Sequence, residues 1–170
     1  PRQSLSDTSQ LPPPVKKWIV RSGALDKAGK AYGEIRQRLQ LKTAVDQETF
    51  FPATAQQLTR IDTPGFLWQV EVSMNPVMWM RGRDSYQDGQ GTMNIWLNSL
   101  IPVVQEAGPK IDEGAMQRLL GEMVWFPQQA LQPYIEWESI DAESARAAMS
   151  WGGISASGVF SFAKNGDFIR

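Results

Sequence analysis

The sequence predicts an α+β fold: a curved, mostly antiparallel sheet of about eight strands, bent into a half-open barrel. One helix packs on its concave face and a short helix stands at the N-terminus. Three observations predict it. Several segments alternate apolar and polar residues with period two, the mark of a half-buried strand. Short polar turns separate them, which favours antiparallel neighbours over parallel crossovers. One segment, Met116 to Val124, carries a helical apolar stripe.

The elements follow in order. Residues 1–10 are polar and read as a linker, leaving 11–170 as a single α+β unit. Pro12-Pro13-Pro14 opens a helix whose Val15, Trp18 and Ile19 have i, i+3, i+4 spacing, with Gly23 as its C-terminal stop. Tyr32 to Lys42 is a strand with Ile35, Leu39 and Leu41 on one face and Glu34, Arg36, Arg38 and Gln40 on the other. Phe50 to Ile61 is a weaker strand, closed by the turn residues Asp62-Thr63-Pro64-Gly65. Phe66 to Met74 gives the clearest alternation. Val77 to Tyr86 and Gly91 to Leu97 form a hairpin around Asp88-Gly89. Asp112 is expected to cap a helix running to about Trp125, and Pro127 ends or restarts it. Tyr134 to Ile140, Ser144 to Trp151 and Ile154 to Ala163 complete the strands, with turns at Asp141-Ala142-Glu143 and Gly152-Gly153.

Composition narrows the chemistry. The 170 residues suffice to bury about two-thirds of the unfolded surface. A net charge of −1, with scattered Lys and Arg, argues against nucleic acid and against an anionic membrane as partner. There is no Cys, so disulfides, thiolate nucleophiles and iron–sulfur ligation are excluded. There is no His, which removes the usual general base and most transition-metal sites. A chain without Cys suits the cytosol and the bacterial periplasm equally. No run of 18 apolar residues is present, so no helix in this chain is expected to span a membrane. The last residues, Gly166 to Arg170, break off after a turn signal, and the chain reads as a fragment of a longer protein with strands missing at its C-terminus.

No cofactor or metal motif emerges. Asp88-Gly89-Gln90-Gly91 lacks the third glycine, the helix and the Lys-Ser/Thr of a phosphate loop, and reads as a hairpin turn. Asp84, Ser85 and Asp88 miss calcium-loop spacing. Paired carboxylates work without His or Cys, and Asp84, Glu122, Glu136, Glu138 and Asp141 are the candidates. Glu136 and Glu138 share a strand face, which reads as solvated. Glu122 stands beside the apolar stripe, one turn after Arg118, and a structural ion pair is its simplest role. Arg81-Gly82-Arg83-Asp84 sets guanidinium groups near a hairpin, able to clamp an acidic head group or to pair internally.

Seven Trp and seven Met exceed ordinary usage. Either they fill a core, or they line a cavity for an apolar ligand. On the second reading the ligand-binding candidates are Trp68, Trp79, Met80, Arg83, Asp84, Glu122, Trp125, Phe126 and Trp137.

The stretch from Trp79 to Phe162 resembles a bacterial family defined only as a domain of unknown function. The residues that carry the resemblance are Arg83 to Gly91, Gln117 to Pro127 with its Glu-x-x-Trp-Phe-Pro block, Ile135 to Asp141, and Gly152-Gly153. Leu11 to Val15 and Pro52 to Gln57 look similar as well. The resemblance implies no activity. It implies an architecture similar to the lipoprotein-carrier and lipoprotein-receptor folds of the bacterial periplasm, curved antiparallel sheets plugged by helices that bind acyl chains. The expectation is therefore a non-enzymatic binding domain for a lipid or other apolar ligand. The alternatives are a carboxylate and arginine enzyme using Glu122, Arg83 and Asp84, and an interaction domain of a membrane-anchored protein.

Overall fold

A computed structural model describes residues 8–27 and 29–170. Most of the expected linker, residues 1–7, lies outside the described residues.

Helix α1 (Pro13–Arg21) buries Pro14, Val15, Trp18 and Ile19, the face its spacing predicted. It closes with paired bonds from the Gly23 N–H to the Val20 carbonyl and from the Ala24 N–H to the Ile19 carbonyl. Six strands then form an antiparallel meander: β1 (Tyr32–Leu41), β2 (Phe51–Arg60), β3 (Gly65–Asn75), β4 (Met78–Gln87), β5 (Gln90–Leu97) and β6 (Ile101–Ala107). Helix α2 (Pro109–Glu122) follows, with short 3₁₀ turns at Met123–Trp125 and Pro127–Leu131. Strands β7 (Ile135–Ser139), β8 (Ser144–Trp151) and β9 (Ile154–Ser161) make a second antiparallel sheet.

The fold is thus α+β and antiparallel as expected, with two corrections. Among the described residues the strands number nine, in sheets of six and three, and neither sheet closes into a barrel. The extra strand is β6, in which six of the seven residues are exposed and only Val104 is half-buried. Pro102 and the absence of alternation conceal it in the sequence, and both are tolerated because β6 is an edge strand. The second correction concerns Asp112. Helix α2 starts at Pro109 after Gly108, without a side-chain cap. Asp112 instead accepts a 2.6 Å hydrogen bond from the Gly91 N–H and ties the helix to β5.

α2 crosses the large sheet from strand to strand. Asp112 meets β5 at Gly91, Arg118 meets β4 at Asp84, and Glu122 meets β2 at Gln57. Beyond the helix, the Phe126 ring lies so close to Gly33 on β1 that a Cβ there would stand 2.2 Å from it. The opposite side of α2 packs on the small sheet, chiefly β9. One core results, joining Met116, Leu119, Leu120 and Met123 of the helix region to Phe66 and Tyr86 of the large sheet and to Ala145, Ala147, Met149, Phe160 and Phe162 of the small-sheet side. The two sheets also touch directly. The Asp88-Gly89 and Gly152-Gly153 turns meet glycine to glycine, and a Cβ on Gly152 would lie 2.8 Å from the Gly89 Cα.

Candidate functional site

Strand register sorts the large sheet into two faces. The face toward α2 carries Ile35, Gln37, Leu39 and Leu41 of β1, Phe51, Ala53, Ala55, Gln57 and Thr59 of β2, and Phe66, Trp68, Val70 and Val72 of β3. Opposite them on β4 are Met80, Gly82, Asp84 and Tyr86. This inner face has three zones. Thr59, Phe66 and Tyr86 lie beneath the helical layer. A polar row with Gln57, Trp68 and Asp84 comes next. An apolar strip follows: Leu39, Leu41, Phe51, Ala53, Ala55, Val70, Val72 and Met80, and every apolar residue packed in that cluster belongs to the sheet itself. Ala53 sits in register between Leu39 and Val72, so small side chains on β2 floor a shallow channel between larger ones.

Arg118 organises the polar row. Its Nε donates to Glu122 Oε1 at 2.8 Å, its Nη1 to Asp84 Oδ2 at 2.9 Å and its Nη2 to Gln57 Oε1 at 3.0 Å. The guanidinium carbon stands 4.7 Å from the Phe66 ring centroid and 5.1 Å from that of Trp68, within cation–π range of both. Gln57 Nε2 donates to Glu122 Oε2 at 2.5 Å and to Thr59 Oγ1 at 3.0 Å. Trp68 Nε1 donates to Gln37 Oε1 at 2.9 Å. Burial pushes the Asp84 carboxyl above its ordinary range against the pull of Arg118, and the nearby Glu122 charge adds to the rise. Burial likewise pushes the Tyr86 phenol up to about 12, with Asp112 contributing.

Two hollows flank this network. A cleft of about 260 Å³ lies between α2 and β4–β5, with Phe66, Met93, Lys110, Ile111 and Arg118 among its walls. An open hollow of about 770 Å³ is lined chiefly by outer-face residues, Arg36, Arg38, Gln56, Gln69, Glu71 and Arg81 among them.

The candidate residues fall in different places. Trp68, Met80 and Asp84 lie on the inner face, and Glu122 reaches the same network from α2. Phe126 is buried against Gly33. Trp137 is half-buried in the core; its Nε1 donates to the Ala130 carbonyl at 3.1 Å and its ring meets Phe160 edge-on. Trp125 is 51% exposed. Trp79 and Arg83 alternate with Met80 and Asp84 and so project from the opposite face of the sheet. Glu122, Arg83 and Asp84 therefore do not share one cleft. Glu136 and Glu138 are exposed. Among the described residues, no group of three or more acidic side chains could hold a metal ion.

Gln57 and the strip residues Leu39, Leu41, Phe51, Ala53 and Ala55 went unnamed as site residues in the sequence reading. The signal was present: Phe51, Ala53, Ala55, Gln57 and Thr59 alternate with period two. Alanine and glutamine are weak strand formers, which hid it.

Fold and face define an antiparallel α+β domain with a helix crossing half of one sheet. A family model spans residues 1–170, and the chain belongs to this family of unknown function, DUF6544. No curated protein and no solved structure matches the chain.

Proposed function

We propose that this domain binds an apolar ligand of acyl-chain type along the strip at Leu39, Ala53, Val72 and Met80. One observation carries the reading: the strip is a continuous apolar run of sheet over which no apolar side chain of a helix packs among the described residues. A face of this kind is normally covered in a globular domain. The channel floored by Ala53 and Ala55 suits a narrow, flexible hydrocarbon better than a rigid ring system. The ligand class agrees with the expectation, drawn from the sequence resemblance alone, of an architecture like that of periplasmic lipoprotein carriers.

The polar row closes one end of the channel. Asp84 and Glu122 direct their oxygens to Arg118 and Gln57, so they act here as a strut between α2 and the sheet. Two carboxylates against one guanidinium leave the row net negative at neutral pH. A hydroxyl or amine head group suits that end better than a phosphate.

Native mass spectrometry of the protein purified from cells, and displacement of N-phenyl-1-naphthylamine by a long-chain fatty alcohol, test the reading. A bound apolar adduct and saturable displacement are expected, and Ala53→Trp, which fills the channel, should remove both. A ligand-free mass together with no displacement from the folded protein sinks the proposal.

A further inference from the structure

The turns at 42–50, 76–77 and 98–100 all lie at one end of the large sheet, because β1 runs up to the first, β3 to the second and β5 to the third. Each presents a large apolar side chain to solvent: Val45 is 100% exposed, Val77 77% and Leu100 82%. Turn tips ordinarily carry Gly, Asn, Asp or Ser. The opposite end of the same sheet follows that rule, with Asp62-Thr63-Pro64 and Asp88-Gly89.

Two of the tips are held in place. Asn98 Oδ1 accepts from the Trp79 N–H at 3.0 Å, and Asn98 Nδ2 donates to the Val77 carbonyl at 3.3 Å. Trp79 Nε1 donates to Ser99 Oγ at 3.3 Å. Asn98 and Ser99 both adopt positive φ, 48° and 59°, a strained backbone for residues other than glycine. The Asn98 bonds tie the 98–100 turn to the 76–77 turn.

Charge is missing around them. No Asp, Glu, Lys or Arg occurs between Glu71 and Arg81, or between Asp88 and Glu106. The third turn carries Lys42 against Asp46 and Glu48, so the end holds no basic excess. Trp79 and Trp96, half-buried, stand just behind the tips on β4 and β5. Apolar points backed by Trp, with charges balanced at one turn and lacking at the other two, match the boundary between lipid head groups and acyl chains.

We propose that this end of the sheet docks on a lipid bilayer, with Val45, Val77 and Leu100 entering the interface and Trp79 and Trp96 at head-group level. Separate projecting points favour a fluid surface over a protein, which would need a matching contour. Pairing of β6 with a second copy of the chain is opposed by Pro102 and by the irregularity at Ile95/Trp96. The lack of a basic excess means that docking requires no anionic lipid and responds little to salt. The inference stands apart from the ligand reading: vesicle binding reports on the tips, and ligand mass on the strip.

Flotation with vesicles of phosphatidylcholine alone, at low and high salt, is the test. The protein is expected to float at both. The triple variant Val45→Asp, Val77→Asp, Leu100→Asp should lower partitioning by about tenfold or more while retaining its circular dichroism and melting transition. Because the chain has no Cys, Leu100→Cys carries a single bimane label, whose emission should shift to the blue on adding vesicles. The proposal is overturned by no flotation, by binding to anionic vesicles alone that salt abolishes, or by a label that stays in water. It is equally overturned if the wild-type chain self-associates without vesicles and the triple variant does not.

Discussion

The two ends of the six-stranded sheet are built from the same strands and treated in opposite ways. At one end α2, the 3₁₀ turns and the small sheet bury Thr59, Phe66 and Tyr86, and the turns are polar or pinned by glycine contact. At the other, the inner face is apolar without a helix above it, and the turns expose Val45, Val77 and Leu100. Arg118 and its partners stand at the line between them. The contrast teaches that the larger core occupies one end, while at the other a small cluster of buried sheet residues, Ala53, Ala55, Val70 and Val72, gives way to turns whose exposed apolar tips are kept at a cost in solubility. The first end carries the larger core, and the proposed binding surfaces lie at the second.

Substitutions should separate the ends by size of effect. Phe126→Ala at the buried end empties the space against Gly33 and should cost about 3–5 kcal/mol in denaturant unfolding. A cost below about 1 kcal/mol would break the comparison, since it would make that end no better packed than the other. Arg118→Met removes the cation from two carboxylates, and should cost about 2 kcal/mol at neutral pH because the group is only partly buried. Part of that loss should return in acid as Asp84 is protonated.

Asp84 gives a smaller effect with a definite sign. Its folded-state affinity for a proton exceeds the unfolded value, so above about pH 4 the folded chain holds on to a proton that the unfolded chain has lost. Stability from this group therefore falls as pH rises through that window. Relative to Asp84→Asn, which mimics the protonated acid, the wild-type protein should lose stability from acid toward neutral pH. The surface carboxylates Glu34, Asp141 and Asp167, held low by hydrogen-bonding partners, contribute the opposite trend and cancel in that difference. Carbon-13 titration of the Asp84 carboxyl checks the direction. Leu39→Ala, half-buried at the side of the strip, should cost about 1 kcal/mol or less while weakening probe binding more visibly. A larger loss of stability there would mean that the strip is core.

Much of this was legible in the chain. The α1 stripe, the Asp88-Gly89 turn with both residues at positive φ, and the Glu122 pairing with Arg118 follow from spacing within a few residues. Asp112 was misread because a capping residue and a tertiary tether look the same in sequence; what bonds its carboxylate is Gly91, 21 positions away. Strand β6 escaped because an edge strand needs no alternation. Trp79 and Met80, adjacent in sequence and alike in character, lie on opposite faces.

Sequence alone determined the local elements, the antiparallel pairing of neighbours and the lack of any Cys or His chemistry, because periodicity, turn residues and composition act at short range. Tertiary structure decided the split into two sheets, the path of α2 over β5, β4 and β2, and the second cluster of sheet residues on which no helix side chain packs among the described residues. Those depend on which apolar faces meet after the chain collapses, and burial is a property of pairs of surfaces that no single segment carries.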